Sequence, residues 1–314
     1  MTDMIFTIAQ PLLFLASAPL FLGIVRRAKA RFQNRIGASV FQPYWALLSL
    51  LEKDMTVPEW SSWVYHAVPR VVFGVAIVLA FLIPAFGIGI IPAVASNIFF
   101  VSGMLAIGAV FLVMGGMDTG STFGNMGSSR EMTLASIIEP TLFLSLATLG
   151  ALAGSWNISS IVTQMAIEPW ANFIPAAFAL LALVFVALLE NARYPVDNPA
   201  THLELTMVHE ATVLEYSGPY LAMLEYASMI KLAALSLLVM NLALPFQLAL
   251  PGAALPTLAA AFGFFWVKFI FAAVAIALIE SVVVKMRFYR MQEYAMYAFL
   301  IAAVGFIVLI ALHR

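Results

Sequence analysis

Apolar runs of 18 residues or more recur along the whole of this 314-residue chain, and that recurrence leaves few folds open. At about 1.5 Å per helical residue, each run is long enough to cross a hydrocarbon core of about 30 Å. A mean hydropathy of +1.01, with charged residues at only 10%, exceeds what a water-soluble core of this size can bury. The expected fold class is therefore all-α: a polytopic membrane protein, one transmembrane domain over residues 1–314, built as a bundle of about eight helices. The expected spans are 4–25, 70–91, 96–116, 133–153, 171–190, 228–249, 257–281 and 294–312. The run from Met4 to Val25 follows only Asp3 and lacks a basic leader and a small-residue cleavage site, so it reads as the first span rather than a removable signal peptide. Pro84 and Pro92 flank the Gly-rich GIGIIPAV stretch, where a kink in the second span is expected.

The basic residues fall on one side of this layout. Arg26, Arg27, Lys29, Arg31, Arg35, Lys53, Arg70, Arg130, Arg193, Lys285, Arg287 and Arg290 lie in or beside the odd-numbered loops, and the even-numbered loops have none. The positive-inside rule then puts loops 26–69, 117–132, 191–227 and 282–293 in the cytoplasm and both termini outside. In RRAKARFQNRIG, Arg27, Arg31 and Arg35 recur at every fourth position before Gly37. That pattern predicts a cationic helical face continuing out of the first span, suited to anionic lipid or an acidic partner. A short basic patch and a net charge of −1 argue against nucleic acid.

There is no cysteine, which excludes disulfides, iron–sulfur clusters and thiolate-held nickel on this chain. His66, His202, His209 and His313 are too scattered for an internal haem or zinc site, so no metal ligands are expected. Redox chemistry belongs to a partner, and the chain is expected to be non-catalytic alone.

The acidic residues are the chemically interesting ones. Glu139 opens the fourth expected span, Glu190 ends the fifth and Glu280 lies near the end of the seventh, while Lys268 sits mid-span in FFWVKFIF. Ionisable groups at such depth face a bundle interior, a partner or a watery cavity. For Lys268 a structural ion pair and a link in a protonatable chain are both open. Residues 201–217 read as a helix with Thr201 as N-cap and Glu204 as its capping-box partner. On that helix Glu204 and Glu215 share a face and Glu210 points elsewhere, beside His209. Clustered carboxylates in a low-dielectric setting raise one another's pKa, which suits proton exchange.

The stretch ENARYPVDNPATHLELTMVHEATVLEYSG (190–218) resembles the signature loop of the membrane subunit that joins the two arms of respiratory NADH–quinone oxidoreductases. It is still more similar to the homologous subunit of energy-converting, membrane-bound [NiFe] hydrogenases, the formate hydrogenlyase type included. ARFQNRIGASVFQPYWALLSLLEKD (30–54) and GGMDTGSTFGNMGSSREMTLASIIEP (115–140) agree, and the resemblance covers nearly the whole chain. Ser49 stands in a segment where the quinone-reducing branch carries a lysine, and THLELTMVHE looks like the hydrogenase branch.

The resemblance implies a docking platform that couples hydrogen or formate redox chemistry to proton or sodium movement. It makes Glu139 and Glu190 carboxylates of the path near the arm junction, with Glu204, Glu210 and Glu215 on the acidic loop facing the catalytic partner. Arg130 and Glu131 match the SRE element, Arg31, Arg35 and Gly37 the arginine–glycine element of the first loop, and Asp197 belongs to the same docking set. The implied partners are hydrogenase large and small subunits, ferredoxin-like iron–sulfur subunits and antiporter-like membrane subunits. The [NiFe] centre and the iron–sulfur clusters would sit on those partners, in a bacterial or archaeal cytoplasmic membrane. The residues alone fit an ion carrier as well, although no inverted repeat of broken helices is visible.

Overall fold

The computed structural model of the chain describes residues 2–87, 96–167, 173–193, 209–246, 248–249, 253–283 and 288–312. These form α1 (Thr2–Phe32), α2 (Gln42–Leu51), α3 (Trp63–Leu82), α4 (Ile98–Asp118), α5 (Thr122–Ala153), α6 (Ile158–Ile167), α7 (Phe173–Glu190), α8 (His209–Thr212), α9 (Gly218–Ala243), α10 (Leu255–Val282) and α11 (Phe288–Leu312). Among the described residues, seven helices are long and apolar enough to cross a membrane. The expected fifth span is the shorter apolar helix α7, 18 residues long, or about 27 Å at the helical rise. The all-α polytopic expectation holds.

Helix ends depart from the sequence expectation for local reasons. α5 begins at Thr122, eleven residues before the expected start, because Ser121 caps it by accepting from Gly124 N; the SRE element is thus helical. α3 begins at Trp63, where Ser62 Oγ accepts from Val64 N, and stops at Leu82. Ile83 precedes Pro84 and takes an extended conformation (φ −91°, ψ 120°), as the residue before proline prefers.

The cationic helix does not run to Gly37. α1 ends at Phe32 in a Schellman arrangement: Asn34 is left-handed (φ 55°), Arg35 N donates to Ala30 O and Asn34 N to Arg31 O. Arg27 and Arg31 therefore lie on the helix and Arg35 beyond it. Gly37 (φ 72°) turns the chain back so tightly that a Cβ there would stand 2.6 Å from the Ala30 Cβ. A Cβ on Gly23 would overlap the Val40 carbonyl. These two close approaches press residues 37–40 onto α1 and aim α2, a helix within the expected loop 26–69, across α1 and α9.

Helix α1 packs on α9 and α10, α3 on α4 and α9, and α5 on α4, α7 and α11. The main core threads all of these, from Phe14 and Phe21 of α1 to Phe265 and Phe269 of α10. Val267, Ile270, Phe271, Val274 and Leu278 of α10 are exposed, an outward apolar face suited to lipid. A second, smaller core of Tyr65, Val68, Leu112, Val213, Tyr216, Tyr220 and Leu224 lies at the end carrying the basic loops.

A charged cavity as the candidate functional site

The second core fixes the far side of the acidic loop. The rings of Tyr65 and Tyr216 stack at 4.4 Å and 5°, and Tyr65 Oη donates to Glu215 O (3.0 Å). His66 Nδ1 meets Tyr220 Oη at 3.0 Å, and Arg70 donates to the same hydroxyl at 2.9 Å. Asp118, at the end of α4, accepts from Ser62 N, Ser62 Oγ and Tyr65 N. Ser217 and Thr56 exchange hydrogen bonds across the two loops. Burial, then Tyr65 and Asp118, push the Tyr216 hydroxyl well above its ordinary range, and that hydroxyl finds no hydrogen-bond partner among the described residues.

This clamp corrects the expectation of one helix over 201–217. α8 stops at Thr212, a turn follows, and α9 starts afresh at Gly218 with Pro219 in its first turn, where a proline lacks no needed N–H. Glu215 therefore lies in the turn, half-buried beside Tyr65, and shares no continuous helical face with residue 204. Asp197 and Glu204 lie outside the described residues.

Above the clamp, α1, α7, α8 and α9 enclose a cavity of about 210 Å³, lined by Arg26, Glu190, Arg193, His209, Glu210, Glu225 and Lys231 among others. It is large and polar enough to hold several waters. Lys231 Nζ lies 3.3 Å from Glu190 Oε1. Arg26 and Arg193 both lie within electrostatic reach of Glu225. Glu139 of α5 is half-buried and within electrostatic reach of Glu190, so these two expected path carboxylates do approach one another. A narrower, mostly apolar cleft between α3, α4 and α9 shares His209 and Lys231 with the cavity and ends on Glu131.

His209 is held neutral: burial first, then Lys231 and Arg193, lower its pKa to about 3. An imidazole in that state donates from one ring nitrogen and accepts at the other. It can hand a hydrogen bond between the cavity and the cleft without adding charge.

Glu280 is placed differently. Its side chain is only 2% exposed and is held by Lys29 Nζ at 2.9 Å and Arg193 Nη1 at 3.3 Å. It joins the ends of α1 and α10 to the start of the acidic loop. Lys268 is remote from the cavity; its Nζ donates to Asn241 Oδ1 at 3.2 Å in the other half of the bundle, so no ion pair holds it among the described residues. Of the docking candidates, Arg31, Arg35 and Gly37 are exposed, while Arg27, Arg130 and Glu131 are half-buried. Among the described residues no group of His, Asp and Glu side chains is arranged to hold a metal ion.

Sequence reading missed Glu225, His209 as a cavity wall, Asp118 and the tyrosine clamp. Glu225 fell before the expected start of its span, and the helix actually begins ten residues earlier, at Gly218. The paired tyrosines carry no local pattern, because they meet across 151 residues of chain.

The chain is similar to known proteins over most of its length. The NADH dehydrogenase family pattern matches residues 4–311. Formate hydrogenlyase subunit 4 of Escherichia coli (strain K12) is 33% identical over 73% of this chain and 74% of its own length. Hydrogenase-4 component C of the same organism is 34% identical over 77% and 76%. A subunit of the NADH-quinone oxidoreductase of Pelagibacter ubique (strain HTCC1062) is 27% identical over 95% and 90%. A chain in the structure of the membrane-bound sulfane sulfur reductase, an archaeal respiratory membrane complex, shares the fold at a TM-score of 0.82, with 21% identity over 98% of this chain and 100% of that one. This chain belongs to the NADH dehydrogenase family of membrane subunits, whose members include components of formate hydrogenlyase, hydrogenase-4 and NADH-quinone oxidoreductase.

Proposed function

We propose that this chain is the membrane-anchoring and ion-coupling subunit of a membrane-bound [NiFe] hydrogenase complex. It docks the catalytic arm on its basic end and links hydrogen or formate redox chemistry to proton or sodium translocation. The observation that carries the reading is the cavity, where three cations and three carboxylates line one space at the basic end of the bundle. Here Glu139, Glu190 and Lys231 form a short series in which one pair is salt-bridged and a further carboxylate stands nearby. Moving a proton onto Glu190 would release Lys231, so protonation and ion-pair rearrangement are coupled by simple electrostatics.

The exposed Arg31 and Arg35 lie at the same end of the bundle and offer an acidic partner a first contact. The [NiFe] centre and iron–sulfur clusters belong, on this proposal, to hydrogenase large and small subunits and ferredoxin-like subunits, with antiporter-like membrane subunits alongside. The basic loops face the cytoplasm by the positive-inside rule.

Purifying the intact complex and replacing Glu139 and Glu190 together by Gln tests this. Proton or sodium uptake coupled to hydrogen turnover should fall steeply, while hydrogenase activity with a soluble donor persists. Undiminished pumping by the assembled double variant would remove these carboxylates from the mechanism. Flavin with quinone-dependent NADH oxidation in the purified complex would assign the chain to a quinone reductase instead. Reversing Arg31 and Arg35 to Glu should loosen the peripheral subunits at moderate salt, since exposed contacts are screened beyond about 8 Å at physiological ionic strength.

A further inference from the structure

Helix α1 has a weak point within its membrane-spanning part. Pro19 is buried inside the continuous helix Thr2–Phe32, in the candidate span Ala9–Phe32. Having no N–H, it leaves the carbonyl four residues back, Leu15 O, without its helical donor, and its ring crowds that carbonyl. With no water in a bilayer core to turn to, a stranded carbonyl needs a partner from elsewhere in the protein. Two tyrosines meet this need. Tyr226 Oη of α9 donates to Leu15 O at 2.9 Å. Tyr44 Oη of α2 donates to the next carbonyl, Ala16 O, and accepts from the Leu20 backbone N–H. Ala16 and Leu20 form the rung of the helical ladder that follows the missing one, so Tyr44 bonds both sides of the joint.

The two hydroxyls arrive from different elements. Tyr226 is carried by α9, with its ring 5.6 Å from that of Phe73 on α3. The residue before it, Glu225, lies within electrostatic reach of Arg26. Tyr44 is brought by the fold-back after α1. Gly37 stands against Ala30, the Val40 carbonyl against Gly23, and the Tyr44 hydroxyl against Ala16. Residues 37–44 thus retrace α1 from Ala30 towards Ala16, about 21 Å of helical rise. Before the joint, Phe14 anchors α1 in the main core. Beyond it, Arg26 lines the cavity and Lys29 holds Glu280. Proline is a site where helices kink, and a swing of the basic half at Pro19 would carry both cations away from their partners.

We propose that Tyr44 and Tyr226 are positioning residues: their hydroxyls replace the rung that Pro19 removes, hold α1 at one bend, and let α2 and α9 set where Arg26 stands in the cavity. A shift of α2 then reaches the cavity through α1, although α2 is not among the seven helices long enough to span a membrane. The joint is built from residues of this chain alone, so it stands whether or not the cavity moves ions.

The test is hydrogen–deuterium exchange of the intact complex in lipid nanodiscs, read by mass spectrometry over residues 20–26 of this chain. Tyr226→Phe and Tyr44→Phe keep the rings and remove only the hydroxyls. Each should speed exchange there about tenfold, the factor for one buried hydrogen bond of ordinary net strength. Pro19→Ala restores the N–H that Leu15 O lacks, so adding it to Tyr226→Phe should return exchange to that of Pro19→Ala alone. A packing role for Tyr226 would not respond to a change at residue 19. Parental exchange in either Phe variant would overturn the proposal, as would a Tyr226→Phe defect that persists with Pro19→Ala. Faster exchange over residues 37–51 without any over 20–26 in Tyr44→Phe would overturn it too, since Tyr44 would then anchor α2 only. If Tyr226→Phe prevents assembly, its restoration by Pro19→Ala supports the proposal and continued failure refutes it. Exchange is read without electron donor, so the outcome is independent of ion coupling.

Discussion

Replacing Glu280 by Gln keeps the side chain's shape and removes one charge from a buried three-member cluster. Glu280 is 2% exposed, and its oxygens lie 2.9 Å from Lys29 and 3.3 Å from Arg193. At an effective dielectric near 20 the gross attraction is about 5 to 6 kcal/mol for each contact, but most of it is offset by the cost of taking three charges out of water. Removing the shared partner of such a cluster typically costs about 3–5 kcal/mol, because the remaining charges stay buried. Lys29 and Arg193 are 20% and 12% exposed, so partial rehydration favours the lower end, about 3 kcal/mol. The assay is reversible unfolding of the protein in mixed lipid–detergent micelles, following helix content across a denaturing detergent titration. Glu280→Gln should be destabilised by that amount, and adding Lys29→Met should cost less than the sum of the two single losses, since both substitutions remove the same ion pair. A single variant as stable as the parent, or a double variant whose losses simply add, would refute the reasoning.

Three further outcomes are expected. Asp118→Ala removes the acceptor of three hydrogen bonds at the start of α3 and should cost about 1–2 kcal/mol, seen as faster amide exchange over residues 62–65; parental exchange would contradict it. His209, with a folded pKa of about 3 against 6.5 for the free side chain, should remain neutral at pH 5 by nitrogen NMR of labelled histidine. Because the unfolded chain gains this proton below pH 6.5 and the folded one does not, the contribution of His209 to stability is full above pH 6.5. It then falls by up to about 1.4 kcal/mol per pH unit towards pH 3; a His209 signal titrating between pH 6 and 7 would refute this. Gly37→Ala combines a left-handed backbone with a 2.6 Å approach to Ala30 and should loosen residues 37–40 from α1, raising protease cleavage before α2; unchanged cleavage would show that the segment holds itself.

The bundle was legible because the bilayer allows one kind of solution. Eight apolar runs at helical length predict helices almost regardless of detail, and Phe173–Glu190 is found where its run predicts. Helix ends were less legible because caps decide them. Nothing in residues 122–132 looks apolar enough to span, yet Ser121 caps a helix that carries Arg130 and Glu131 inward. The opposite error came from RRAKARF, where a four-residue repeat of arginines reads on as helix while Asn34 ends it two residues past Phe32. The approach of Glu139 to Glu190 was within reach, since both sit at the same end of neighbouring spans. Pairings set by tertiary contact were not: neither Lys29 with Glu280, 251 residues apart, nor Tyr65 with Tyr216 has any signature in spacing.

The buried charges divide by how many partners hold them. Glu280 has two cations and a side chain only 2% exposed, and it ties three segments together. Glu190 has one cation at a longer distance, a second carboxylate within reach and a cavity beside it. Lys268 has no carboxylate at all among the described residues; its ammonium donates to the amide oxygen of Asn241. One bundle thus holds a carboxylate paired twice, a carboxylate paired once beside a cavity and an ammonium held by an amide, and the second arrangement has the space and the neighbouring carboxylate that the proposed coupling needs.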